Sequence, residues 1–294
     1  MRPRDIALAV AVAAVWGVNF VVIETGLDHF PPLLFSALRF GLAAFPAVLF
    51  VGRPQVPWRW IAAVALILGV VKFSLLFAGM AAGMPAGLSS LVLQSQAIFT
   101  MLFATLFLRE RPRPVQIAGL VVAAAGVALV ATRMGAGLPA FLLVIGAAVA
   151  WGLSNVATRK ASPPDTLRFM VWVSALATGP LIALTLLIDG PAADLAALRG
   201  VDLESIAALL YIALLSTLGG FGVWGYLIRK HGAATVAPFS MLVPFFGIAS
   251  AALILGEPVH AVDLFGGVLV AGGVLLGLAR SRPVVKTQVV RVGA

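Results

Sequence analysis

The sequence predicts an all-α integral membrane protein: ten transmembrane helices forming two five-helix repeats of inverted topology, with both termini in the cytoplasm. Three observations carry this expectation: a composition too apolar for a water-facing surface, ten apolar runs of spanning length, and a motif that recurs once at a constant offset. Of the 294 residues, 62% are hydrophobic and 11% charged, against about 25% charged in soluble domains. Cysteine is absent, which excludes disulfides, thiolate metal sites and a cysteine nucleophile and leaves the redox compartment open.

A helix needs about 20 mostly apolar residues to cross the hydrocarbon core. Such runs fall at 6–22, 33–51, 58–81, 88–108, 115–131, 138–156, 167–188, 205–228, 235–255 and 261–278. The first follows Arg2 and Arg4 in the manner of a secretory signal. Its apolar run outlasts a signal core, no small-x-small site closes it, and it has a counterpart deep in the chain, so it is read as a span. The spans leave only short loops and tails, so no ATPase subunit is expected.

The net charge of +9, from 20 Lys and Arg against 11 Asp and Glu, would suggest nucleic acid in a soluble chain. Here it divides by side. Arg2, Arg4, Arg53, Arg59, Arg109, Arg111, Arg113, Arg159, Lys160, Arg168, Arg229, Lys230 and the cations from Arg280 onward share one face, and only Arg133 and Arg199 take the other. Most acids, among them Glu24, Asp28, Asp202, Glu204, Glu257 and Asp263, fall opposite the basic face. The positive-inside rule puts both termini in the cytoplasm. The expected surroundings are a lipid bilayer, with no nucleic acid.

Trp16-Gly17-Val18-Asn19 in the first span returns as Trp151-Gly152-Leu153-Ser154-Asn155 in the sixth. Farther along, past a longer connection in the second half, Ala86 and Ala233, Glu110 and Glu257, Gly119 and Gly266, and Gly126 and Gly273 correspond at a second, larger offset. The repeats are read as 1–133 and 134–280, followed by a cytoplasmic tail at 281–294. Five spans per repeat is an odd number, so the second must enter the membrane from the opposite side. In secondary transporters such repeats place a substrate near the midplane, exposed alternately to each side. Duplication also occurs in other membrane proteins, so this points to transport without requiring it.

Several stretches resemble a known family. They are Trp16-Gly17 with Asn19, Gly83-Met84-Pro85-Ala86-Gly87-Leu88 running into Leu93-Gln94-Ser95-Gln96-Ala97, Arg109-Glu110-Arg111, and Leu242-Val243-Pro244 before Gly256-Glu257-Pro258. Across essentially its whole length the chain is similar to the EamA-type exporters of the drug/metabolite transporter superfamily, and among them to bacterial exporters of O-acetylserine, cysteine and related amino acids. The resemblance implies ten helices, a bacterial inner-membrane location and export of small metabolites. Ala97 aligns with Pro244, where that family often has proline twice, so a proline bend in the fourth span is in doubt.

Two cations lie deep within spans, away from the span ends, where each costs roughly 2.5–3.5 kcal/mol on insertion scales. Arg39 is expected to snorkel to the near interface. Lys72 lies too deep for that and is expected to face a cavity, where an amino-acid carboxylate would pair with it. Asp263, in the first turn of the tenth run, is counted with the outer face, and no Asp or Glu falls deeper inside the predicted spans, which argues for facilitated efflux or exchange over carboxylate-gated proton antiport. The candidate substrate-binding residues are Trp16, Asn19, Phe20, Lys72, Gln94, Gln96, Trp151, Ser154, Asn155, Trp172, Trp224 and Tyr226. Together they offer aromatic and amide surface for an amphipathic zwitterion. Gln94 and Gln96 are about 200° apart on a helix, so at most one points straight at the cavity. Single tryptophans also serve interfacial belts, and single amides serve interhelical hydrogen bonds.

Gly17 and Gly152 are expected to allow close helix approach, and Pro238 and Pro244 to act as hinges. The glycine stripe Gly119, Gly126, Gly266 and Gly273 reads as packing against a neighbouring helix or a second protomer, which would make a homodimer. Glu110 and Glu257 read as helix caps or ion-pair members. His29, His231 and His260 lie in loops and offer neither a metal site nor a catalytic constellation, so no enzyme activity, metal or cofactor is expected. Amphipathic drugs or anionic metabolites, with proton coupling, are the alternative cargo, and a membrane scaffold or receptor is the alternative of another class.

Overall fold

The computed structural model describes residues 1–278; Arg280, the end of the second predicted repeat and the tail at 281–294 lie outside the described residues. Nine helices are long and apolar enough to cross a membrane among these residues: α1 Pro3–Leu27, α2 Pro32–Leu49, α3 Trp58–Ala81, α4 Ala86–Leu108, α5 Pro114–Ala131, α6 Leu138–Ala161, α7 Thr166–Ile188, α8 Leu203–His231 and α9 Ala237–Leu255. A further apolar helix, α10 Ala261–Leu278, follows. The described residues contain no strand. A short helix, Pro191–Arg199, fills the longest connection.

The starts of these helices follow from local chemistry. Pro3, Pro32 and Pro114 open α1, α2 and α5, where the missing N–H costs nothing and φ is already helical. Asp165 accepts the Arg168 N–H at 3.0 Å and caps α7. Asp202 and Ser205 cap α8 reciprocally, at 2.8 and 2.9 Å.

Four helices are irregular at depth. α3 and α8 loosen into π geometry over Ala65–Lys72 and Tyr211–Gly219. α4 and α9 tighten into 3-10 turns over Leu93–Ser95 and Ala237–Leu242. The α9 turn contains Pro238 and ends just before Pro244, as the sequence suggests; the α4 turn forms with no proline. Such departures from α geometry recur at functional sites.

The core is a seam of Phe35, Phe40, Phe73, Phe77 and Leu76 from α2 and α3 against Val144 of α6 and Leu181 of α7. Close glycine contacts join the rest. A Cβ on Gly17 would lie 2.8 Å from the Gly247 nitrogen of α9, and one on Gly152 would lie 2.8 Å from the Thr100 nitrogen of α4. Gly119 and Gly126 lie against Gly273 and Gly266, so the glycine stripe joins α5 to α10 within one chain. Ion pairs tie the helix ends: Asp5 to Lys230 and His231, Arg133 to Asp263, and Glu110 to Arg159.

Two sequence expectations change here. Arg39 does not snorkel: it is 3% exposed and donates to Thr217 Oγ1 from Nε and Nη2 at 3.3 and 3.1 Å. α2 packs that face against α8, which carries the guanidinium inward. The first span also runs farther than 6–22. α1 continues to Leu27, so Glu24 belongs to a helix, half-buried, with Oε2 buried and without a partner.

Candidate functional site

A cavity of about 350 Å³ opens among α4, α5, α6, α9 and α10. Its deep wall is polar and uncharged. Asn155 Nδ2 donates to Gln96 Oε1 at 2.7 Å and to Thr100 Oγ1 at 3.0 Å. The Thr100 hydroxyl in turn donates to the Gln96 carbonyl at 2.7 Å. Ser240 lines the opposite wall from the tight turn of α9, and its carbonyl accepts Gln94 Nε2 at 2.9 Å. Met101, Ala104, Leu120 and Ala123 supply apolar surface. Glu110, Arg111 and Arg159 stand at the mouth, where Glu110 Oε1 accepts from Arg159 Nη2 at 2.5 Å.

Helix geometry explains which amide reaches the cavity. The 3-10 turn at Leu93–Ser95 rotates α4 so that Gln96 lines the cavity while Gln94 is turned onto α9. Asn155 is one turn from Trp151 on α6. Lys72 Nζ lies 5.0 Å from the Trp151 ring and 3.4 Å from the Phe73 ring. The Arg39 guanidinium lies 4.1 Å from the same Phe73 ring, and its Nη1 is buried without a partner. Lys72 is 5% exposed. Among the described residues no ion pair joins either cation to a carboxylate. The centre thus holds two basic side chains set against aromatic faces and one hydroxyl.

The sequence pattern defining the EamA-like transporter family matches residues 4–132 and 138–278, nearly all of the described chain. The chain belongs to the EamA-like transporter family. A probable amino-acid metabolite efflux pump of Salmonella typhimurium is 39% identical over 286 residues, covering 95% of this chain and 96% of the relative. A protein of the same description from Escherichia coli is 37% identical over 286 residues, with the same coverage. A solved crystal structure at 20% identity matches with a TM-score of 0.62 over 94% of this chain and 96% of its own, a likeness of fold alone.

The remaining candidate residues of this EamA-family transporter are dispersed. Trp16 Nε1 donates to the Ser216 carbonyl at 3.0 Å, and its ring packs on Trp224 at 5.1 Å, joining α1 to α8. Asn19 is buried with Oδ1 unpartnered, Phe20 belongs to the core, and the Ser154 hydroxyl turns back to the Trp151 carbonyl. Trp172 lies away from the cavity, donating to the Gly52 carbonyl at 2.8 Å beside Trp58. Tyr226, 41% exposed, takes a hydrogen bond from Lys230 on the surface of α8. Of the twelve candidates the structure brings Gln96 and Asn155 to the cavity; Trp151 lies one turn from Asn155 on α6, and Lys72 of α3 lies against the Trp151 ring.

Sequence reasoning missed Thr100, Met101, Ser240 and Arg159 as cavity residues. Thr100 was within reach, since it sits one helical turn from Gln96 and shares its face. Ser240 is placed by the 3-10 turn of α9, which no apolar periodicity reveals.

Proposed function

We propose that this EamA-family chain exports amino acids and related small metabolites from the cytoplasm across the bacterial inner membrane by alternating access. The observation that carries the reading is the cavity itself. Amides and hydroxyls at depth, apolar walls and a mouth bearing Arg111 and Arg159 suit a small amphipathic zwitterion. Its volume falls within the range of about 300–1,000 Å³ typical of small-molecule sites. The likeness to two bacterial proteins described as probable amino-acid metabolite efflux pumps supports amino acids as the cargo.

Positive-inside counting assigns the mouth to the cytoplasm and both termini with it, with ten spans in two inverted repeats, 1–133 and 134–280. Paired features support the repeats. Gly17 packs on α9 where Gly152 packs on α4, the π segments of α3 and α8 correspond, and so do the 3-10 turns of α4 and α9. Gly17, Gly152, Pro238 and Pro244 form the hinge set.

Gln96, Asn155 and Thr100 hold the cargo's ammonium and backbone groups. Lys72, reached when Trp151 swings, meets its carboxylate; Trp16, Asn19, Phe20, Gln94, Ser154, Trp172, Trp224 and Tyr226 shape or support the path. The expectation of acid-free spans does not hold, since α1 carries Asp5 and Glu24 and α10 carries Asp263. The acid that lines the cavity, Glu110, stands at its mouth and none lies on the deep wall, which favours facilitated efflux or exchange.

Counterflow in proteoliposomes across a panel of labelled amino acids tests this. Internal unlabelled substrate is expected to drive uptake of at least one amino acid. Silence across the panel overturns the cargo class, and uphill accumulation driven by a pH gradient alone overturns the coupling.

A further inference from the structure

Glu257 and Glu110 occupy corresponding places in the two halves of the sequence and are used differently. Glu257 reaches across to the start of α4, where Oε1 accepts the Ala86 N–H at 2.6 Å and Oε2 accepts the Gly87 N–H at 3.0 Å. The carboxylate thereby pins α9 to α4 at the end away from the cavity mouth. Around it the packing is tight: a Cβ on Gly87 would lie 3.2 Å from Ile248 Cα and 3.4 Å from Ala251 Cβ. At the cavity mouth the corresponding Glu110 is held by Arg159.

The charges that flank these acids also differ. The offset that aligns Trp16 with Trp151 aligns Glu24 with Arg159. Glu110 in its released position therefore has a cation to bind. Glu257, if released, would meet Glu24, whose Oε2 is already buried without a partner and which lies within electrostatic range of Glu257 and Asp28.

We propose that Glu257 is the latch that keeps the outer end shut, that Glu110 is the matching latch of the cytoplasmic end, and that the Glu24/Arg159 difference sets the resting state with the cavity open inward. In the opposite state Glu257 lets go of Ala86 and Gly87, while Glu110 leaves Arg159 and closes on the chain at Ala233, the counterpart of Ala86. These acids are positioning residues, since none touches the deep wall of the cavity. The inference rests on the alternating-access reading above and adds to it which groups hold each state.

The lack of native cysteine allows a clean test. Ala251 is fully buried beside the latch. In right-side-out vesicles, Ala251→Cys reports opening of the outer end by its rate of labelling with a membrane-impermeant maleimide. Adding Glu257→Gln removes the charge and replaces one of the two accepting oxygens by an amide nitrogen that cannot accept a backbone N–H, and is expected to speed labelling about tenfold. Adding Glu24→Arg is expected to speed it too, because a released Glu257 then finds the direct partner that Arg159 gives Glu110. Adding Glu110→Gln is expected to slow it.

Glu257→Gln and Glu24→Arg labelling at the parental rate, or Glu110→Gln labelling faster, overturns the latch. Should one variant fail to insert, the other two carry the same comparison. Amino-acid counterflow by the Ala251→Cys parent separates the two levels of failure. Flux with labelling rates indifferent to all three substitutions rejects the latch alone, whereas neither flux nor labelling in any background rejects alternating access.

Discussion

Helices α1 and α6 make the same contact twice, yet the two ends of α4 and α9 do not match. Gly17 on α9 and Gly152 on α4 bring backbones together with equal closeness, whereas the Glu257 end is bridged and the Glu110 end opens on the cavity. The two ends thus share their glycine packing and differ in their polar contacts. In the proposed alternating-access cycle those few polar contacts at helix ends are what tells one state from the other.

The strongest challenge to that equivalence is to fill the seams. Gly17→Ala and Gly152→Ala each place a methyl group against backbone, and each is expected to cost about 1–3 kcal/mol. Thermal unfolding of the purified protein measures both; a large cost at one and none at the other would break the equivalence. Next in size is the buried cation pair, which has no counterpart in the cavity wall. Lys72→Ala is expected to lower flux of zwitterionic amino acids about tenfold and to leave carboxyl-amidated analogues unaffected, as a charged hydrogen bond to the cargo requires. Equal loss for both cargo types would reduce Lys72 to a packing element.

A smaller effect attaches to the neutral network. Asn155→Ala removes the donor to Gln96 and Thr100 and is expected to reduce flux about threefold to tenfold, the worth of a typical hydrogen bond. An unchanged flux would move the cargo away from the amide wall.

The smallest expected effect is at the far end, where His29 Nε2 lies 3.3 Å from Asp202. The hydrogen bond from His29 Nδ1 to the Thr25 carbonyl raises the imidazole, with Asp202 adding to the rise; the Ser205 N–H, above all, holds Asp202 below the usual carboxylate value. The His29 contribution is complete below the ordinary imidazole value and is lost as pH rises through the raised one. That of Asp202 is complete above the ordinary carboxylate value and is lost as pH falls through the lowered one. The tie is therefore strongest in mildly acidic solution. His29→Ala is expected to flatten the change in Tm between mildly acidic and alkaline pH, and an unaltered slope would show that the pair contributes nothing.

Most of the fold was legible because spanning helices announce themselves by length and apolarity, and close glycines by the recurrence of Trp-Gly. Other features were not. The run at 6–22 was ended by treating Glu24 as a boundary, yet a half-buried acid is tolerated in the last turns of α1. Arg39 was read by its distance from the end of its span, but the direction of its side chain follows from the contact between α2 and α8, which sequence does not reveal. The bend of α4 was tied to a proline, although a 3-10 turn forms there without one. At the site, Gln96 and Asn155 were readable as amides at depth. Trp172 and Tyr226 lie outside the cavity lining, and an indole or phenol at a membrane surface has the same composition signature as one in a cavity.

The most direct test of the account is counterflow of a labelled amino acid in proteoliposomes, comparing the unaltered chain with Ser240→Trp, which would fill the cavity from α9. Substrate-driven uptake by the unaltered chain, abolished by Ser240→Trp while the protein stays folded, is the predicted result. Equal uptake by both, or none by the unaltered chain for any amino acid, would contradict the claim that this cavity is the export path.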